Sequence, residues 1–119
     1  MKVLIVEDES AAVRRLQKLL GDIDPGIEIL GAVSSIESAV EWLMAHPAPD
    51  VILMDIEMPG INGIDATREV RSQFPNVKVL IQTVFNDSEK IFQALCAGAS
   101  GYILKSEQPG KYLESISEV

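Results

Sequence analysis

At 119 residues, with 47% hydrophobic and 24% charged content, the chain has the size and composition of one ordinary globular domain with a proper core, and the expected domain spans residues 1–119. A net charge of −8, from 10 basic and 18 acidic residues, argues against this chain gripping nucleic acid by itself. No apolar run approaches the roughly 18 residues a membrane span needs, no signal peptide is legible, and the lone Cys96 excludes a disulfide framework and a multi-cysteine metal site, so a cytoplasmic setting is the simplest expectation.

Lys2 to Val6 is a short β-branched and leucine run that reads as a first strand, and Glu7-Asp8-Glu9 closes it. Ser10 is placed to cap a helix whose apolar positions Val13, Leu16, Leu19 and Leu20 recur at helical spacing. Asp22 to Gly26 is turn chemistry, and Ile27 to Val33 reads as a second strand. Ser34 or Ser35 caps a second helix with Ile36, Ala39, Val40 and Leu43 on one face, and His46-Pro47-Ala48-Pro49 ends it. Val51-Ile52-Leu53-Met54 is a continuous apolar run, as expected of a strand buried on both faces, and Asp55 closes it. Met58-Pro59-Gly60 turns the chain, and Asn62-Gly63 leads into a third helix through Ile64, Thr67, Val70 and Arg71, which Phe74-Pro75-Asn76 stops. Val77 to Gln82 is a fourth strand ending at Thr83. Asp87 or Ser88 caps a fourth helix carrying Ile91, Phe92, Ala94 and Leu95. Tyr102-Ile103-Leu104 is a fifth strand ending at Lys105, and Pro109 suits the first turn of a fifth helix with Tyr112, Leu113 and Ile116. The pattern is strand–helix five times over, and right-handed crossovers leave an α/β, doubly wound, five-stranded parallel sheet with helices on both faces.

In the flavodoxin-like order 2-1-3-4-5, strands one, three, four and five are neighbours, and their carboxyl ends share one edge. That edge collects Glu7 and Asp8, Asp55, Thr83 and Lys105. Three carboxylates in one crevice repel each other, and a hard dication such as Mg²⁺ relieves this. A lysine and a threonine hydroxyl bind phosphoryl oxygens, and aspartate is a competent phosphoryl-accepting nucleophile. Together these groups describe a phosphoryl-transfer site built from position and electrostatics. Taken singly, each has a structural reading: acids at a helix start, a strand-end hydroxyl, a surface lysine. Only their joint placement argues for chemistry. Cys96, Trp42, Met54 and Met58 read as packing or surface residues, and His46 as part of a turn.

The chain resembles the receiver domain of two-component response regulators over its whole length. The matching pieces are Val3 to Glu9, Val51 to Gly60 with Asn62-Gly63, Thr83, and Ala97 to Lys105. The resemblance implies Asp55 as phospho-acceptor. It implies Mg²⁺ held by Asp8, Asp55 and the backbone carbonyl of Glu57, with Glu7 as a second acid acting through water. Thr83 and Lys105 would bind the phosphoryl group, and Tyr102 matches the switch aromatic. The implied donor is a sensor histidine kinase or a phosphotransfer protein. The implied response is a change in the face made by helix four, strand five and helix five, which controls dimerisation or an output domain, the latter transcriptional and absent from these 119 residues. The chain is then a switch with self-catalysed phosphoryl transfer, not a metabolic enzyme.

Two departures stand out. The family commonly has proline after the lysine with a cis bond, but Ser106 follows Lys105 here, and a cis bond would cost about 2.5–4 kcal/mol. Glu57 and Phe85 occupy positions that in the family influence how long the phosphoryl group survives. The first half, with Ala11 to Leu16 and Glu41-Trp42-Leu43, is similar to receivers attached to LytTR-type domains, whereas Met58 to Lys105 is similar to receivers attached to LuxR-type domains; a natural mosaic or an engineered chimera would produce this. The competing function is an Asp-nucleophile phosphohydrolase, for which Glu57 supplies the second acid two residues on, although no cap insertion encloses a substrate. A flavin module would need a phosphate-cradling loop where Glu7-Asp8-Glu9 stands, and a degenerate receiver would lack some of the residues present.

Overall fold

In the computed structural model, which describes residues 1–55, 63–83, 88–105 and 109–118, strands and helices alternate through the whole chain. The elements are β1 (Lys2–Val6), α1 (Ser10–Ile23), β2 (Glu28–Val33), α2 (Ile36–Ala45), β3 (Val51–Asp55), α3 (Gly63–Gln73), β4 (Lys78–Thr83), α4 (Ser88–Cys96), β5 (Gly101–Leu104) and α5 (Pro109–Glu118). All neighbouring strands pair in parallel, in the order β2-β1-β3-β4-β5. The expected topology is therefore the observed one. Among the described residues, no helix is long and apolar enough to cross a membrane.

The reason lies in the central strands. Val3 to Val6 and Val51 to Met54 are at most 1% exposed, so side chains on both faces of the sheet need cover. Strand alternation splits them into two cores. Leu4, Val6, Ile52, Met54, Val79 and Ile81 pack with α2 residues such as Leu43 and α3 residues such as Val70. Val3, Ile5, Val51, Leu53 and Leu80 pack with Leu16 and Leu20 of α1 and Tyr112 and Ile116 of α5. The acids, the lysine and the glutamine at the strand ends inherit the same alternation.

Local chemistry corrects one expectation and narrows another. Ser10 does not cap α1; Glu9 holds the capping position and makes no side-chain capping bond, while Ser10 is already helical. Ser35 rather than Ser34 caps α2, its hydroxyl accepting from the Ser38 N–H at 3.1 Å. Of the apolar residues on α4, Ile91 and Ala94 are buried, while Phe92 and Leu95 are 65% and 42% exposed. At the end of α4, Gly98 adopts a φ of +113°, and a Cβ there would sit 2.9 Å from Cγ of Arg71. Arg71 is itself anchored, donating to the carbonyls of Val77 at 2.8 Å and of Pro75. His46 stacks on Trp42 with ring centroids 4.3 Å apart, and Cys96 is exposed. The Met58-Pro59-Gly60 turn, Asn62, Phe85, Asp87 and the Lys105–Ser106 peptide lie outside the described residues.

Candidate functional site

Parallel register sets the depth of each functional side chain. Val6 of β1 stands opposite Met54 of β3, so Glu7 follows on at the level of Asp55. Asp55 in turn stands opposite Gln82, and Thr83 opposite Leu104. The Glu7 N–H donates to the Val33 carbonyl at 2.9 Å and the Lys105 N–H to the Thr83 carbonyl at 2.8 Å, which extends the sheet's hydrogen bonding past the strand ends. The edge is thus fixed by backbone before any side chain contributes.

Lys105 is the centre of the site. Its ammonium donates to Oε1 of Glu7 at 2.7 Å and to Oδ2 of Asp55 at 3.2 Å, across sequence separations of 98 and 50 residues. Glu7, Asp55 and Thr83 are 4%, 3% and 2% exposed, whereas Asp8 is exposed to solvent. One carboxylate oxygen from each of Glu7, Asp8 and Asp55 lies within 4.8 Å of the others. An open cleft of about 440 Å³ reaches Glu7 and Asp8 from the side of α1 and β2, with Ser10, Arg14, Ser34 and Ser38 in its walls.

The electrostatics follow from burial. Desolvation pushes the Glu7 carboxyl up to about 7, the neighbouring Asp55 pushes it the same way, and Lys105 pulls it down. For Lys105, burial works to lower the ammonium, but the Glu7 hydrogen bond and the charges of Asp55 and Glu7 outweigh it and hold the group above its usual value. Oε2 of Glu7 is buried and has no hydrogen-bond partner among the described residues. Among the described residues, one ammonium faces three acids whose hard oxygen donors lie within 4.8 Å of one another, which is the chemistry of a small divalent cation site; these residues fit Mg²⁺.

Of the residues singled out from the sequence, Glu7, Asp8, Asp55 and Lys105 converge. Thr83 sits at the same edge, but alternation puts its side chain on the sheet face opposite to that of Gln82. Tyr102 points outward from β5 and is 44% exposed. Glu57 lies outside the described residues. Sequence reasoning missed Gln82 and Tyr112. Gln82 is 3% exposed at the end of β4, and its Oε1 accepts from the Tyr112 hydroxyl at 3.3 Å. A glutamine inside the otherwise apolar Val79-Leu80-Ile81 strand was the available signal.

Comparison with known proteins places the whole architecture. The model of the response regulator receiver domain matches residues 3–117. The response regulator UvrY of Escherichia coli is 36% identical over 119 residues, covering 100% of this chain and 54% of that protein. The transcriptional regulatory protein DegU of Brevibacillus brevis is 34% identical, covering 100% of this chain and 50% of that protein. A crystal structure of a LuxR-family two-component response regulator from Aurantimonas superposes with a TM-score of 0.90 at 28% identity, over 98% of this chain and 82% of that one. The chain spans about half the length of the curated relatives it matches. These matches over the whole of this chain overturn the LytTR-like reading of the first half, since the same relatives account for both halves. Of the residues that suggested a LytTR-like first half, Ala12, Leu16 and Leu43 are buried helix-face positions whose identity answers to packing. The fold, the family match over residues 3–117 and the acid–lysine edge agree, and the chain belongs to the response regulator receiver domain family of two-component systems.

Proposed function

We propose that Asp55 is the phospho-acceptor, that Asp8, Asp55, the Glu57 carbonyl and Glu7 hold Mg²⁺, and that Thr83 and Lys105 bind the phosphoryl oxygens. The observation that supports this best is the Lys105 ammonium lying between Glu7 and Asp55 beside a third acid within ion-sharing distance. When bound, Mg²⁺ supplies positive charge to a transferring phosphoryl group and a template for its oxygens. The rest falls to the chain's own side chains. An Asp55 oxygen attacks phosphorus, an O–P bond forms, and the N–P bond of a phosphohistidine breaks, leaving the imidazole to pick up a proton. Lys105, already 3.2 Å from Asp55, needs only a small movement to follow the new anionic oxygens.

The donor on this reading is a sensor histidine kinase or phosphotransfer protein. The response is a population shift in the face made by α4, β5 and α5, where Phe92, Leu95 and Tyr102 present apolar surface to solvent. Phosphorylation adds about −1.5 to −2 charge at Asp55, draws Thr83 toward it and opens space for Tyr102. That face then serves a homodimer or an output domain, transcriptional by analogy with the relatives, in the cytoplasm. The chain acts as a switch, with no catalysis beyond its own phosphoryl transfer and slow dephosphorylation. Intact-mass measurement after incubation with Mg²⁺ and a small phosphoryl donor tests the assignment. The native protein gains one phosphoryl group and Asp55→Asn gains none; equal gain in both, or turnover of a phosphate ester without stable modification, refutes it and favours the phosphohydrolase alternative.

A further inference from the structure

Behind the acid–lysine cluster, between the sheet edge, α1 and α5, lies a small cavity of about 30 Å³. Glu7, Gln82, Lys105 and Tyr112 line it, with Arg15 and Leu16 of α1 closing the side. Two buried polar atoms of these residues, Nε2 of Gln82 and Oε2 of Glu7, have no hydrogen-bond partner among the described residues. One is a donor and the other an acceptor, and their residues are 3% and 4% exposed. Buried polar atoms are almost always satisfied, by protein or by ordered water. The cavity exceeds the roughly 10–15 Å³ that one water needs, and its walls offer the two to four polar partners that hold one. Lys105 carries a third N–H beyond those given to Glu7 and Asp55.

We propose that Gln82 and Tyr112 are positioning residues for the site: Tyr112 holds Gln82 by its side-chain carbonyl, and Gln82 holds an ordered water that fixes the Glu7 carboxylate. The water accepts from Gln82 Nε2 and donates to Glu7 Oε2, which leaves Oε1 turned to Lys105. A metal ligand's orientation depends on such outer partners, and so does its affinity. The inference rests on the reading of Glu7 as part of the Mg²⁺ site, but the water itself does not.

Two measurements test it. A high-resolution crystal structure of the metal-free native protein shows a water within hydrogen-bond distance of both Gln82 and Glu7; a dry cavity overturns the proposal whatever the site does. Calorimetric Mg²⁺ titration of the double variant Gln82→Leu with Tyr112→Phe gives a dissociation constant raised roughly tenfold. A purely structural pair leaves the Mg²⁺ affinity unchanged whatever it does to the melting temperature, and that result overturns the proposal. Should the double variant fail to fold, Tyr112→Phe alone carries the titration, with weaker Mg²⁺ binding supporting the proposal and unchanged binding overturning it. If the native protein binds no Mg²⁺, the receiver-site reading falls, and the water in the native crystal decides the Gln82 contact independently.

Discussion

At the scale of single residues, Glu7 is the most perturbed group of the site. Its carboxyl is taken out of water first and set beside Asp55 second, and Lys105 offsets only part of this, so it titrates at about 7. The sign of the consequence is definite. The folded, metal-free chain holds this proton more tightly than the unfolded chain, where the group titrates near 4.5. Its contribution to stability is therefore fully present below about pH 4.5 and is lost as pH rises through about 7. Asp55→Asn removes a neighbouring negative charge and leaves Lys105 to serve Glu7, so the Glu7 midpoint falls toward the ordinary carboxylate range. Carboxyl carbon NMR titration in the presence of a chelator reads this directly, and a midpoint that stays near 7 in Asp55→Asn contradicts the shared-site electrostatics.

At the scale of elements, the sequence placed every strand and helix, missing their ends by a residue or so, because each is short and bounded by turn residues. Capping was less legible. Adjacent serines at 34 and 35 satisfy the same rule, and only the backbone decides which hydroxyl faces the free N–H of Ser38. The structure predicts that Ser35→Ala destabilises the protein by about 1 kcal/mol while Ser34→Ala leaves it unchanged to about half that amount. Paired denaturant melts distinguish the two, and equal effects would mean that α2 starts one residue earlier. Periodicity identifies an apolar stripe but not whether part of it is left uncovered: the sequence groups Ile91, Phe92, Ala94 and Leu95 on the fourth helix, and only the structure shows that Phe92 and Leu95 face solvent.

At the scale of the whole molecule, the architecture was legible because five apolar runs separated by helical patterns admit few topologies. The site was legible because its acids and lysine all fall at strand ends. Gln82 and Tyr112 were not, because their meaning lies in a contact 30 residues apart in sequence and in a cavity no pattern describes. The same scale carries a thermodynamic consequence. A chain of net charge −8 gathers Glu7, Asp8 and Asp55 at one edge, with a single ammonium among them in the described residues, so the folded state repels itself there. Unfolding disperses that cluster, hence a dication that needs the assembled acids binds the folded state alone and stabilises it. At a Mg²⁺ concentration about 100 times the dissociation constant, the gain is about 2.7 kcal/mol. For a domain of this size that corresponds to a rise in melting temperature of roughly 10 °C. NaCl at equal ionic strength screens the repulsion without occupying the site and gives a much smaller rise. Asp8→Asn, which removes the exposed acid of the cluster, abolishes most of the Mg²⁺-specific part. Calorimetric scans of the native protein and of Asp8→Asn in matched MgCl₂ and NaCl measure the difference, and a Mg²⁺ effect no larger than that of NaCl in the native protein would show that the acids do not act as one site.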